Sequence, residues 1–209
     1  MKKAGVIYSQ GSHRWLAITR DPERPDYLID TNEYLIAHDG HAVLCDPGGT
    51  EIFPAVFSAL SEQFDPRQIE TIFASHQDPD IISSLALWLE FNPRVKCHVS
   101  WIWTSFIPHF GVNADAFVAI PDGGAKLAVG EATLEAVPAH YLHSSGNFHL
   151  YDPLARILFS GDVGAALLLP GEDELVVKDF DAHIKHAEGF HRRWMGSNRA
   201  KLDWCERVS

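Results

Sequence analysis

Three short stretches carry side chains able to do chemistry. The first is SHQDPDI, Ser75 to Ile81, with His76, Asp78 and Asp80 at alternate positions. It follows the apolar run IETIFA, so it lies where a strand opens into a loop and then a helix. Alternate residues of an extended segment point to one side, so an imidazole and two carboxylates can converge there. Such a set suits iron, manganese or zinc. Asp78 or Asp80 could instead only cap the following helix. The second stretch, VPAHYLHSSGNFHLYDP, places His140 and His143 beyond another strand, and either could be a ligand or a surface residue. The third, ILFSGDVG, delivers Asp162 after Gly161, where an isolated aspartate is usually a turn former. In all three an apolar strand hands His or Asp to its end. Strands that end at one edge are how an α/β scaffold builds a site, and the three stretches together favour a metal centre over three unrelated turns.

The elements that must position these residues are legible in outline. YLIAHDGHAVLC reads as two strands about a tight turn at Asp39-Gly40, followed by the loop signal Asp46-Pro47-Gly48-Gly49. EIFPAVFSALSEQF has helical apolar spacing. IETIFASH is a strand stopping at His76, and DIISSLALWLEFNP reads as one helix ending before Pro93. RVKCHVS is a strand, and WIWTSFIPHFG a short helix closed by Gly111. AKLAVGEATLEAVPA reads as a hairpin about Gly130-Glu131, and GNFHLYDPLARILFSGD as another with its turn at Asp152-Pro153. Beyond Phe180 the chain is helical. Strands and helices alternate in both halves, which predicts an α/β fold of two packed sheets with helices outside, an αββα sandwich.

Composition narrows the partners. The chain has 209 residues, enough for one well-buried domain and marginal for two. Seventeen basic against 28 acidic residues give a net charge of −11, and no basic run interrupts it. Nucleic acid and anionic membrane are therefore not expected partners. No stretch reaches 18 apolar residues, so no membrane span is expected. Cys45, Cys97 and Cys205 are sparse and odd in number, which suits free thiols and a cytoplasmic location. Twelve histidines are many for this length, and six of them fall between His140 and His191.

These motifs carry a resemblance. From DTNEYLI and VLCDPGG through FASHQDPDI and LHSSGNFHLYDP to ILFSGDVG, the chain resembles the metallo-β-lactamase fold. Within that fold it is similar to the diiron branch, which includes flavodiiron and oxygen-binding diiron proteins. The hydrolase branch carries HxHxDH. The diiron branch has a carboxylate at the second histidine, the position of Asp78 here. The resemblance implies a single metallo-β-lactamase-like domain over residues 1–209. It also implies two iron ions, with zinc or manganese as alternatives. His76, Asp78, His143 and Asp162 would hold the first metal, and Asp80 and Asp162 the second, so that Asp162 bridges. His143 matches the family's serine/proline/glycine turn and strand ending in Tyr-Asp-Pro, which leaves His140 as a neighbour: a group behind the ligands, an extra ligand or plain structure.

Two departures from the family's pattern stand out. Ile81 occupies the motif's last position, often histidine, and is expected to be apolar wall beside the second metal. The family's later histidine, from a Pro-x-His-Gly segment, is not found. Either the C-terminal part is incomplete, or a helical histidine substitutes, or the second metal is weakly held. His183 and His186 lie one turn apart, and His191, in GFHRRWMGSN, is the best of the three late histidines.

The function implied is a stand-alone non-haem diiron protein that binds or reduces O2 or NO. No flavodoxin-like domain or rubredoxin-like cysteine pair is recognisable, so no flavin is expected on this chain. It would act as a sensor, or as an oxidoreductase fed by a separate electron-donor protein, and a homodimer is compatible with either. Trp88, Trp101, Trp103 and Phe148 are candidates for an apolar wall, although each taken singly reads more simply as core. The alternative is a metallo-hydrolase using metal-bound hydroxide. A third reading is a regulatory remnant of the fold that holds little metal.

Overall fold

The computed structural model describes residues 1–21, 23–24, 28–168 and 175–209. Seven strands form one sheet in chain order: β1 (Ala4–Gln10), β2 (His13–Ile18), β3 (Glu33–His38), β4 (His41–Cys45), β5 (Ile69–Phe73), β6 (Lys96–Ser100) and β7 (Phe117–Ile120). The first four pair antiparallel, and β4 to β7 pair in parallel. A second sheet has the order β11-β10-β9-β8, from β8 (Ala125–Val129), β9 (Ala132–Pro138), β10 (Phe148–Asp152) and β11 (Ile157–Phe159).

The strand β4 shows why the sheets stack. Its apolar run is continuous, as in a strand covered on both faces. Val43 and Cys45 point inward and pack with Trp15, Ile36, Phe73, Leu134, Phe148 and Leu150 between the sheets. Ala42 and Leu44 point outward and pack with Val56, Leu60, Leu85 and Trp88. Those four come from α1 (Phe53–Ser61) and α3 (Leu85–Phe91), which cover the large sheet. On β10, Phe148 and Leu150 face the inter-sheet core while His149, between them, faces the other way. Trp204 of α5 (Asn198–Val208) donates its indole N–H to His149 Nδ1 at 3.0 Å. Helix α5 thus lies on the outer face of the small sheet, as the αββα sandwich requires, while α4 (Phe180–Trp194) runs beside the loop after β11, where its His191 accepts from Gly164 N. Among the described residues no helix is long and apolar enough to cross a membrane.

The turn at Asp39-Gly40 has both residues at positive φ, 49° and 84°, as a two-residue hairpin turn requires. Gly111 closes the segment after β6 in the left-handed region, but that segment is two 3-10 turns, Trp101–Trp103 and Ile107–Phe110, rather than one helix.

The helix expected over DIISSLALWLEF is broken into α2 (Pro79–Ile82) and α3. The serines between them are engaged by the loop after β4. Ser84 donates its hydroxyl to Pro47 O at 2.9 Å, and its amide to Gly48 O. Ser83 Oγ accepts from Thr50 N. Short polar side chains compete with the helix for backbone partners. The hairpin β1–β2 lacks a clean sequence signal because β1 is an edge strand. Its register shifts between Val6 and Tyr8, and it leaves Val6 and Ile7 exposed.

Candidate metal centre

The polar edge of the sandwich is built by three connections: Ala74 to Asp78 after β5, Ala139 to Asn147 between β9 and β10, and Ser160 to Gly164 after β11. Loops at the carboxyl ends of parallel strands are where α/β sheets place their sites. The first two connections are tied across the sheets, since Phe148 N donates to Ser75 O at 3.0 Å. Asn147 holds the second from within by donating its side-chain amide to Leu142 O, next to His143.

His76, Asp78 and His143 form the one set among the described residues whose ligand atoms all lie within 4.8 Å of one another. His76 Nε2 is 3.6 Å from both Asp78 Oδ2 and Asp162 Oδ2. His143 Nε2 is 3.5 Å from Asp78 Oδ2 and 3.0 Å from Asp162 Oδ2. One oxygen of Asp162 therefore stands between two imidazoles. The rings meet edge to face, with centroids 4.9 Å apart.

Asp78 is the N-cap residue of α2, yet its side chain makes no capping bond. The role of bland helix cap is left to its backbone, whose carbonyl accepts from Ile81 and Ile82. Its carboxylate faces the two imidazoles instead, and Oδ1 accepts from Gln77 Nε2 at 3.0 Å. Ser144 donates to Gln77 Oε1 at 2.7 Å, so the β5 and β9–β10 loops are linked again.

Behind His76 lies a chain that fixes its tautomer. Ser75 donates its only hydroxyl proton to Asp46 Oδ2 at 2.6 Å. It is left with lone pairs for His76 Nδ1, 2.8 Å away. Nδ1 is then the protonated nitrogen, and in the neutral ring Nε2 carries the lone pair. Nε2 is buried and has no hydrogen-bond partner. The Asp78 and Asp162 oxygens lie 3.6 Å from it, beyond hydrogen-bond reach, which leaves room for a cation between nitrogen and carboxylates. Asp46 also accepts from Ser75 N at 2.7 Å, which locks it to the strand end. Asp46 was legible in the sequence only as part of a turn signal.

The charges respond to this crowding. Burial pulls the His76 imidazole down, but Asp78, Asp162 and Asp46 together outweigh it and raise it to about 9. Burial pushes Asp78 up, and His76 and His143 more than reverse that, leaving it below its ordinary value. Asp80 is raised by burial, with Asp162 and Asp78 adding to it. Burial lifts Asp46 to about 7. The carboxylates of Asp78 and Asp162 set against two imidazoles, with Asp80 adding negative charge and a buried nitrogen that makes no hydrogen bond, fit a cation.

The remaining sequence candidates fall as follows. Asp80 sits in the first turn of α2, outside the closest-knit set but within electrostatic reach of Asp78 and Asp162. Ile81 lies in the same short helix and is buried. The ring of His140 packs on Phe148, and its Nε2 is 3.0 Å from Asp122 O. His191 has both nitrogens occupied by backbone: Nδ1 donates to Ala187 O at 2.8 Å and Nε2 accepts from Gly164 N at 2.9 Å. It holds α4 to the loop of Asp162. His183 and His186 face each other on α4 at 6.2 Å. Of the aromatic candidates, Trp88 and Phe148 are core. Trp88 is buried between Phe53 and Phe57, and Trp101 donates to Asp122. The ring set against His143, at 5.6 Å, is Trp194 from the end of α4. Nothing in the local sequence links residue 194 to residue 143.

Comparison with known proteins identifies the family and the fold. A family model described as "ODP family beta lactamase" matches residues 29–209. A solved structure of the peroxy diiron species of chemotaxis sensor ODP is similar at 36% identity and TM-score 0.84, covering 99% of this chain and 83% of that one. The apo state of chemotaxis sensor ODP from T. denticola is similar at 35% identity and TM-score 0.85, over 100% of this chain and 84% of that one. A flavo di-iron protein mutant from Thermotoga maritima shares the fold, at 23% identity and TM-score 0.82, over 100% of this chain and 54% of that one. The curated relative "Diflavin flavoprotein A 1" from Synechocystis sp. is 29% identical over 133 residues, which is 63% of this chain. The chain spans 23% of that relative's length. On the family model and the two sensor structures, the chain belongs to the family described as ODP family beta lactamase.

Proposed function

We propose that this chain is a stand-alone non-haem diiron protein of the cytoplasm that binds O2 (or NO) at the edge formed by His76, Asp78, Asp80, His143 and Asp162, and that it acts as a gas sensor. The observation that carries this reading is the buried, unpartnered Nε2 of His76, with Asp78 and Asp162 oxygens each 3.6 Å away. His76, Asp78, His143 and Asp162 would hold one iron, with Asp162 shared and Asp80 turned to a second. A site rich in carboxylates suits iron and its higher oxidation states, and iron there would supply one-electron chemistry and open positions for a diatomic gas. The chain's own residues do the rest. The Asp46–Ser75 pair orients His76, the Gln77–Ser144 link fixes Asp78 relative to His143, and Ile81 and Trp194 supply apolar surface. Two similar structures are of a chemotaxis sensor, which favours sensing over turnover. An oxidoreductase would need electrons from a separate donor protein.

The test is metal analysis of protein purified without oxygen, followed by its visible and near-UV spectrum on admission of air. Between one and two irons per chain and a new absorption band in air are expected. Stoichiometric zinc, rapid ester hydrolysis and an unchanged spectrum would replace this reading with a metallo-hydrolase.

A further inference from the structure

At the opposite end of β4 from Asp46 lies a second group of histidines. His38 and His41 are directly paired across the Asp39-Gly40 turn, and Arg14 pairs with Ala37, so His13 comes opposite His38 at the next step. Residues directly opposite in antiparallel strands project to the same face. That face is the inner one, since Trp15, Ile36 and Val43, two positions along from the three histidines, all pack between the sheets. Three imidazoles therefore form one rung across β2, β3 and β4, at the mouth of the sandwich. They lie roughly 15 Å along the strands from the first centre.

Each of the three has one ring nitrogen against a carboxylate. His13 Nε2 is 2.6 Å from Asp152 Oδ2, whose oxygen also accepts from Trp15 Nε1 at 2.6 Å. His38 Nε2 is 3.3 Å from Asp39 Oδ2, and His41 Nδ1 is 3.0 Å from Glu70 Oε2. A neutral imidazole that donates through one nitrogen presents a lone pair at the other. Histidines that hold metals are characteristically backed by a carboxylate in this way. The opposite nitrogens, Nδ1 of His13 and of His38, are buried and have no partner among the described residues. His13 is only 3% exposed, and its ring meets that of His38 at 5.2 Å. The turn at Gly130 closes over the pair: a Cβ on Gly130 would fall 3.1 Å from His41 Cδ2 and 3.5 Å from His38 Cδ2. Beside it opens a cleft of about 420 Å³, lined in part by Asp39, His41, Glu70 and Glu131. Its three carboxylates draw cations to the mouth.

We propose that His13, His38 and His41 form a second metal site, distinct from the candidate diiron centre, that takes one divalent transition-metal ion of the zinc or nickel type. Imidazole ligands select that class over magnesium or calcium. The donor nitrogens are not all within the 4.8 Å that marks the first centre. His13 is the fixed ligand, and closing on the ion takes side-chain rotation of His38 and His41. His41 is 44% exposed in its side chain and its partner Glu70 is 62% exposed, so the two can swing together with their contact kept. The ion would tie the N-terminal hairpin to β4 and, through Asp152, to the small sheet.

The experiment counts zinc on protein whose first centre has been silenced by His143→Ala and Asp162→Ala. After incubation with Zn²⁺ and gel filtration, one zinc per chain is expected to remain, with a raised Tm. Adding His38→Ala or the milder His41→Gln is expected to weaken binding at least tenfold and to abolish the Tm rise. If the silenced protein does not fold, the same count on the otherwise unaltered chain serves, with one ion fewer expected in His41→Gln. Absence of zinc from the folded silenced protein, or a count unchanged by both histidine substitutions, overturns the proposal.

Discussion

His191 on α4 accepts a hydrogen bond from the backbone amide of Gly164, two residues beyond Asp162, at 2.9 Å. The helix therefore grips the loop that delivers the carboxylate placed between His76 and His143. Truncating His191 to alanine removes both of its bonds, and the one that reaches the Asp162 loop is worth about 1 kcal/mol net, without removing a proposed ligand. Iron retention is expected to weaken about fivefold, with both irons still present at saturating metal. Complete loss of one iron in His191→Ala, read by metal analysis, would make His191 a ligand after rotation rather than a brace.

Asp162 and Asp80 are expected to differ in kind. Asp162→Ala takes away the oxygen shared by both imidazoles and should empty both positions. Asp80→Ala should empty only the second and leave the first tight. An iron titration of the two apo-proteins distinguishes them. Two tightly held irons in Asp162→Ala would remove that residue from the bridge.

The Ser75 hydroxyl satisfies buried Asp46 and orients His76 at once. Ser75→Ala leaves a buried carboxyl short of a donor, which destabilises by about 1–3 kcal/mol. It also frees the imidazole to turn, so metal affinity should fall as well, by the 10- to 100-fold typical of groups behind a ligand. Urea midpoints without metal and iron titrations measure the two effects separately. A loss of stability with unchanged metal affinity would confine Ser75 to a structural role.

Glu33 gives a pH signature away from the candidate centre. It is fully buried beside Lys2, at 3.0 Å, and burial raises its carboxyl to about 7. Between its ordinary value of 4.5 and about 7, the folded state keeps the proton that the unfolded state has released. The folded state then binds more protons, so stability declines as pH rises through that window, by up to about 1.4 kcal/mol per pH unit. Below 4.5 and above about 7 the contribution is flat. Subtracting the denaturation curve of Glu33→Gln from that of the unaltered chain should isolate this slope. A difference independent of pH between 4.5 and 7 would show that Lys2 keeps Glu33 charged throughout.

Much of the architecture was legible because it rests on local patterns. The Asp39-Gly40 turn, the unbroken apolar run of β4 and the strand ends before His76 and Asp162 each announce themselves within a few residues. What stayed hidden depends on partners far along the chain. The break between α2 and α3 comes from Ser83 and Ser84 bonding to residues 47–50. The shielding of His143 comes from Trp194, and the orientation of His76 begins at Asp46. The N-terminal hairpin was missed for another reason. An edge strand with a bulge and exposed Val6 and Ile7 breaks the alternation by which strands are recognised.

The tie between Phe148 N and Ser75 O sits where two sheets formed by distant parts of the chain meet. His76, His143 and Asp162 come together only after both sheets have formed and docked, so the cluster does not survive in any half-assembled chain. A cation held there favours the finished molecule alone, by mass action. Proteases act on chains that have opened, and the fraction open falls as the cation is bound. Metal supply would therefore govern how long each copy lasts, and the amount of this protein would follow the metal even where its gene is read at a constant rate.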